Sequence, residues 1–177
     1  MQPRLKGCLR AICLDMRHIL EGRFDESGAR IPGDLETRLA SLGVSKGKEI
    51  LPVSNLTHLL PEDKRARDAV DKFLKSQGEA GVPCDDAIAE FIRESAYTWT
   101  NRLIALRCLE ARGIIDEVIL QKEVYGGRSL QHNRLARRNP EACAGEDGGL
   151  FTVLSEEFRR RSEELLLLFD PNAPTVA

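Results

Sequence analysis

Apolar residues recur at three- and four-residue steps through most of this chain, and the pattern breaks at a few well-marked points. In the first segment Leu5, Cys8, Leu9, Ile12, Cys13, Met16, Ile19 and Leu20 keep that spacing. It predicts an amphipathic helix with a wide apolar face, ending near Gly22. Residues 25–60 are poorer in pattern. DESGARIPGD is rich in turn formers, DLETRLASLG suits two or three helical turns capped by Asp34 and closed by Gly43, and KGKEILPVSNLTHLLP is irregular, so the stretch reads as a connector.

Pro61 then opens a helix where its missing N–H costs nothing, and Glu62 and Asp63 suit the positive helix end. Ala66, Ala69, Val70, Phe73 and Leu74 form the side expected to be buried before Gly78 ends the helix. After the break EAGVPCDD, the longest helix is expected from about Asp85 to Arg112, with Arg112-Gly113 as its stop. The following IIDEVILQKEVYGGRS fits either a short helix or a strand pair, because Val118, Ile119 and Leu120 are too short a run for periodicity to decide. Gly126-Gly127 turns the chain in either case. Beyond the loop RNPEACAGEDGG, Phe151, Leu154, Phe158, Leu165 and Leu168 predict a final helix from about Phe151 to Phe169, stopped by Asp170-Pro171.

These elements predict a mainly α fold, a helical domain of about five helices over 1–171 with room for one short β-hairpin, and a linker or tail at 172–177. A content of 42% hydrophobic and 31% charged residues is that of an ordinary globular chain. The net charge of −2 supplies no global field toward nucleic acid, so any such binding must come from a local patch. Cys8, Cys13, Cys84, Cys108 and Cys143 are odd in number and contain no CxxC, which suits free thiols in a reducing, cytoplasmic setting. The N-terminal apolar positions are interleaved with basic residues, and the longest apolar run, LLLLF at 165–169, is far too short to span a bilayer; neither a signal peptide nor a membrane span is expected.

The charges of the longest helix stand out. At about 100° per residue, Ile88, Ile92, Ser95, Trp99, Leu103, Leu106 and Glu110 share one line, flanked by Ala96, Arg102 and Arg107, with Tyr97, Ile104 and Cys108 nearly opposite. The helix is therefore expected to pack on two sides. Glu110 on a buried line needs a partner, and Arg107 three residues before it is placed to be one, with Arg102 a further turn away. The competing reading turns Arg102 and Arg107 outward beside Trp99 and Asn101 to hold phosphate or an acidic partner.

The segment TWTNRLIALRCLEARGI resembles the N-terminal region of the large adenine-specific DNA methyltransferases of phage-defence systems, the PglX-like enzymes of BREX and their DISARM relatives. The matching positions of the pattern A-x-x-W-x-N-R-L-x-A-x-R-x-x-E-x-x-G are Ala96, Trp99, Asn101, Arg102, Leu103, Ala105, Arg107, Glu110 and Gly113, with FTVLSEEFRRRSEELLLLFDP a looser second match. The resemblance implies methyl transfer from S-adenosylmethionine to the exocyclic amine of adenine in the parent protein. The two motifs that perform it do not occur in this sequence. There is no F-x-G-x-G loop, and the one Asn-Pro, Asn139-Pro140, is followed by Glu141-Ala142 and not by Pro-Tyr. The chain is then expected to be a non-catalytic, cofactor-free N-terminal piece that positions DNA or a partner subunit against a catalytic region.

A basic patch gives that expectation a location. VYGGRSLQHNRLARRNP, residues 124–140, carries Arg128, Arg134, Arg137 and Arg138 and no acid. Four arginines on a glycine-hinged segment can neutralise phosphates without reading sequence. FRRRSEE at 158–164 alternates sign at helical spacing and reads as a solvated face. Cys8, Cys13 and His18 drift around their helix, and His58 and His132 are isolated, so no zinc site is predicted; Cys84 beside Asp85 and Asp86 has no local histidine to make it a nucleophile. The rival reading is a stand-alone interaction or scaffold domain, dimeric in its simplest form, that uses surplus leucine in LLLLF.

Overall fold

The computed structural model describes residues 3–145 and 147–170. It is mainly helical with one short antiparallel strand pair. The described residues fall into two compact units, the first reaching Thr100 and the second starting at Asn101; the expected tail at 172–177 lies outside the described residues.

The first unit begins with helix α1 (Pro3–Glu21), which Gly22 stops with a backbone φ of 88°. Strands β1 (Gly22–Phe24) and β2 (Arg30–Pro32) follow, pairing antiparallel with Arg23 opposite Ile31. The turn between them is built by Asp25, whose Oδ1 accepts the N–H groups of Ser27 and Ala29, each at 2.9 Å. The hairpin thus lies in the stretch read as a turn-rich connector, because a side-chain-locked turn closes strands too short to show a period. The N-terminus of α1 is wider in apolar pattern than in burial. Leu9, Cys13, Met16 and Leu20 are half-buried on the side facing α2 and β1, while Ile12 and Ile19 stay exposed.

Helix α2 (Asp34–Ser41) and helix α3 (Pro61–Glu79) flank the stretch that looked irregular. That stretch is part of the core. Val44 packs with Leu39, Val70, Ile88, Phe91 and Ile92, and Leu56 and Leu59 join Leu42 in a second cluster. Phe73 meets Phe91 edge to face, with ring centroids 5.2 Å apart. Helix α3 runs through Gly78 to Glu79, and it buries Arg67 among its apolar residues. The Arg67 guanidinium donates to the carbonyl of Leu42 and, at 2.8 Å, to Asp71, so its charge is not left unpaired.

Helix α4 (Cys84–Ala111) is the long helix expected from the sequence. Ile88, Ile92, Ser95, Leu106 and Glu110 are buried along the expected line, while Tyr97 and Cys108 on the other side are exposed. Ile104, on the same side, is half-buried, so of the expected second side only Tyr97 and Cys108 lie open.

In the second unit, helix α5 (Leu130–Arg138), helix α6 (Leu150–Ser162) and the short helix α7 (Leu166–Phe169) carry Leu135, Val153, Leu154, Phe158 and Phe169 into a core with Leu106 and Val118. Residues 114–129 form neither the short helix nor the strand pair that the sequence left open. The chain bends at Val118 and Ile119, then makes a 3-10 turn at Glu123–Tyr125 and a single bridge between Lys122 and Arg128, with Gly126 and Gly127 both at positive φ. The final helix is broken after Ser162. Phe158 and Phe169 are eleven residues apart, so an unbroken helix would hold them about 16 Å apart along its axis. The break lets their rings stack at a centroid distance of 5.5 Å.

Candidate functional site

The charges of α4 do separate work. Arg102 is 1% exposed. Its Nε donates to the carbonyl of Leu168 at 2.8 Å and its Nη2 to that of Asp170 at 2.7 Å. The guanidinium carbon lies 5.2 Å from the centre of the Phe158 ring. Burial lowers its pKa, and the Asp170 charge acts in the opposite direction. Arg102 therefore faces inward and ties the end of the described chain to α4; it is neither a phosphate ligand nor a partner of Glu110.

Glu110 is held differently. Its Oε1 accepts the backbone N–H groups of both Val118 and Ile119, which explains why that run joins neither a helix nor a sheet. Its Oε2 lies 3.5 Å from Nη1 of Arg107, a side chain that is 44% exposed. The network inferred from the sequence is thus two separate devices, a guanidinium clamp on carbonyls and a carboxylate clamp on amides. Trp99 and Asn101 are half-buried.

The basic segment is helical from Leu130 to Arg138, with Arg128 and the positive-φ Gly126 and Gly127 before it. Ser129, itself buried, caps α5 by accepting the N–H of His132 at 3.2 Å, and Leu135 anchors the helix inward. The sequence held this signal: Ser129 precedes a Leu130–Leu135 spacing that ends before Asn139-Pro140. His132 is fixed by its Nε2 contact of 2.6 Å to the carbonyl of Gly148, and Asp147 caps α6 by accepting the N–H of Phe151 at 2.8 Å. That N–H and the one of Gly149 hold the Asp147 carboxyl below its ordinary range.

Arg128, Arg134, Arg137 and Arg138 are all exposed. Arg134 pairs with Asp116, and Arg138 lies 3.7 Å from Glu156 of α6. Among the described residues Arg128 and Arg137 form no ion pair. Arg137 and Arg138 sit in the last turn of α5, where cations also suit the helix dipole. Between α5 and α6 lies a slot of about 70 Å³, whose lining includes Arg134, Arg138, Glu156 and Arg160.

The first unit offers one strand-to-helix step, Pro32–Gly33–Asp34, against which a glycine-rich cofactor loop can be tested. A Cβ on Gly33 would lie 2.3 Å from both Gly22 N and Leu20 O. The glycine is required there by contact with its own chain. The five cysteines are free thiols, and no helix among the described residues is long and apolar enough to cross a membrane. Comparison of the chain with protein-family models, curated proteins and solved structures finds no match.

Proposed function

We propose that this chain is a helical, non-catalytic N-terminal region of a PglX-like adenine-specific DNA methyltransferase of a BREX- or DISARM-type phage-defence system. In that reading it is cytoplasmic, as its free thiols suit, and it holds DNA or a partner subunit against a catalytic region that binds S-adenosylmethionine. The observation that carries the DNA role is the exposure of Arg128, Arg134, Arg137 and Arg138 on α5 and its lead-in, a stretch whose other residues from 124 to 140 include no acid.

The test is titration of a labelled DNA duplex with wild-type chain and an Arg134→Ala, Arg137→Ala, Arg138→Ala triple variant over a range of salt. Binding that weakens steeply with salt and drops in the variant supports the role. Absent or salt-insensitive binding removes it.

A second reading, a scaffold domain that associates through its last helix, is favoured by Leu165 and Leu166, which are 44% and 62% exposed. Sedimentation of the wild type against Leu165→Glu, Leu166→Glu separates the two: a dimer that the variant dissolves supports the scaffold.

A further inference from the structure

The slot between α5 and α6 is bounded by two facing rows, Arg134 and Arg138 on one helix and Glu156 and Arg160 on the other, each pair four residues apart and so on one helix face. Leu135 and Val153 contribute apolar lining, and Glu157 a second carboxylate. We propose that this slot seats one backbone phosphate of a bound nucleic acid, and that Glu156 occupies the arginines as an internal substitute when no phosphate is present. The inference rests on the DNA reading above and adds to it the residue that receives the phosphate from the second helix, Arg160, in a segment whose alternating charge looks like a solvated face.

Three features carry it. First, Glu156 lies between Arg138 at 3.7 Å and Arg160 at 3.9 Å. Both exceed the 2.7–2.9 Å of a charge-assisted hydrogen bond. Both arginines are more than half exposed, so each pair contributes little and can be exchanged for a backbone phosphate. Second, the neighbouring acid is already satisfied. Glu157, almost fully buried, accepts from Arg161 Nε at 2.8 Å, and its other oxygen lies 3.5 Å from Arg160. It steadies the Arg160 guanidinium at the rim. Third, about 70 Å³ is room enough for phosphoryl oxygens or waters. Displacement of Glu156 leaves Arg138 and Arg160 converging on one oxyanion, with Arg134 beside them still tied to Asp116.

The experiment is a salt-dependent duplex titration of the full chain carrying Glu156→Gln, Arg160→Ala or, as a general charge control, Glu163→Gln, an exposed acid at the end of α6. Glu156→Gln is expected to tighten binding roughly twofold to fivefold, the range set by loss of weak competing surface pairs. Arg160→Ala should reduce the slope of log affinity against log salt by about 1, and Glu163→Gln should change neither. Circular dichroism of each variant confirms that the helices are intact, and Arg160→Lys, which keeps the charge, should restore most of the slope. If the wild type binds with a steep salt dependence but Glu156→Gln and Arg160→Ala match it, or if Glu163→Gln tightens as much as Glu156→Gln, the seat is wrong and the DNA reading stands. If no variant binds duplex at low salt, both fall.

Discussion

The carboxylate of Glu110 is the hydrogen-bond acceptor for the backbone of Val118, eight residues further along, and for that of Ile119 beside it. One buried side chain on the last turns of α4 thereby fixes the path of a segment with no regular structure of its own. Replacement by alanine strands one buried amide, that of Val118, and one half-buried amide, that of Ile119. Glu110→Ala should destabilise the chain by about 3 kcal/mol, since each unsatisfied buried donor costs roughly 1–3 kcal/mol. Glu110→Gln, which keeps an acceptor oxygen, should cost clearly less, and Arg107→Ala should cost under about 1 kcal/mol, because its guanidinium is exposed and Glu110 keeps both amide donors. Urea denaturation of the three variants checks the order; an Arg107→Ala effect as large as that of Glu110→Ala would assign the stability to the ion pair.

Arg102 predicts a sharper loss under a conservative change. Lysine cannot reach both the Leu168 and Asp170 carbonyls with a planar fork, nor stack on Phe158 in the same way. Arg102→Lys should cost about 2 kcal/mol, in the range of hydrogen bonds to charged groups. Amide exchange at 166–170 should accelerate in the variant before the rest of the second unit is affected.

Asp63 of the first unit and Asp147 of the second contribute to an acid limb of stability. Asp63 is held below the ordinary carboxylate range by the N–H of Leu60 and by Arg38, and Asp147 by the N–H groups of Phe151 and Gly149. A depressed folded-state pKa contributes stability that is fully present above the unfolded value of about 3.9 and is lost as pH falls through the folded value. Denaturation midpoints followed from pH 6 downward should therefore drop below about pH 4. Asp63→Asn and Asp147→Asn should each flatten part of that drop, and an unchanged acid limb in both would contradict the assignment.

Glycines give a paired test of the first unit. Gly33→Ala places a Cβ against the backbone of Gly22 and Leu20, with no flexible side chain to give way. It should cost about 1–3 kcal/mol, as overpacking does. Gly7, inside α1, has nothing within 4 Å of its Cβ position. Gly7→Ala should stabilise by about 0.5–1 kcal/mol through helix propensity. Thermal melts of the two variants should move in opposite directions.

What the sequence made legible follows from how each element is stabilised. Helices α3 and α4 were readable because each carries its own apolar period and a marked start, Pro61 for one and Asp85-Asp86 for the other. The hairpin was hidden because it depends on the Asp25 carboxylate and on close contact of Gly22 with Gly33, which no period records. Val118 and Ile119 were undecidable because their amides are satisfied by a distant side chain, and the break in the last helix because it serves a ring contact between Phe158 and Phe169. Among candidate site residues, the exposed arginines were found from composition alone. Arg160 and Glu156 were not, since the convergence of two helix faces appears only when α5 lies against α6.

The clamp of Arg102 has one more consequence, for how such chains diversify. Its acceptors are main-chain oxygens of Leu168 and Asp170, groups that every amino acid supplies. Substitutions at 168 or 170 leave those oxygens available, so this long-range tie exerts no pressure for paired sequence change. An arginine at 102 can stay fixed over a history in which its partners drift freely, and a search for coupled positions would overlook the bond that joins the long helix to residues 168–170.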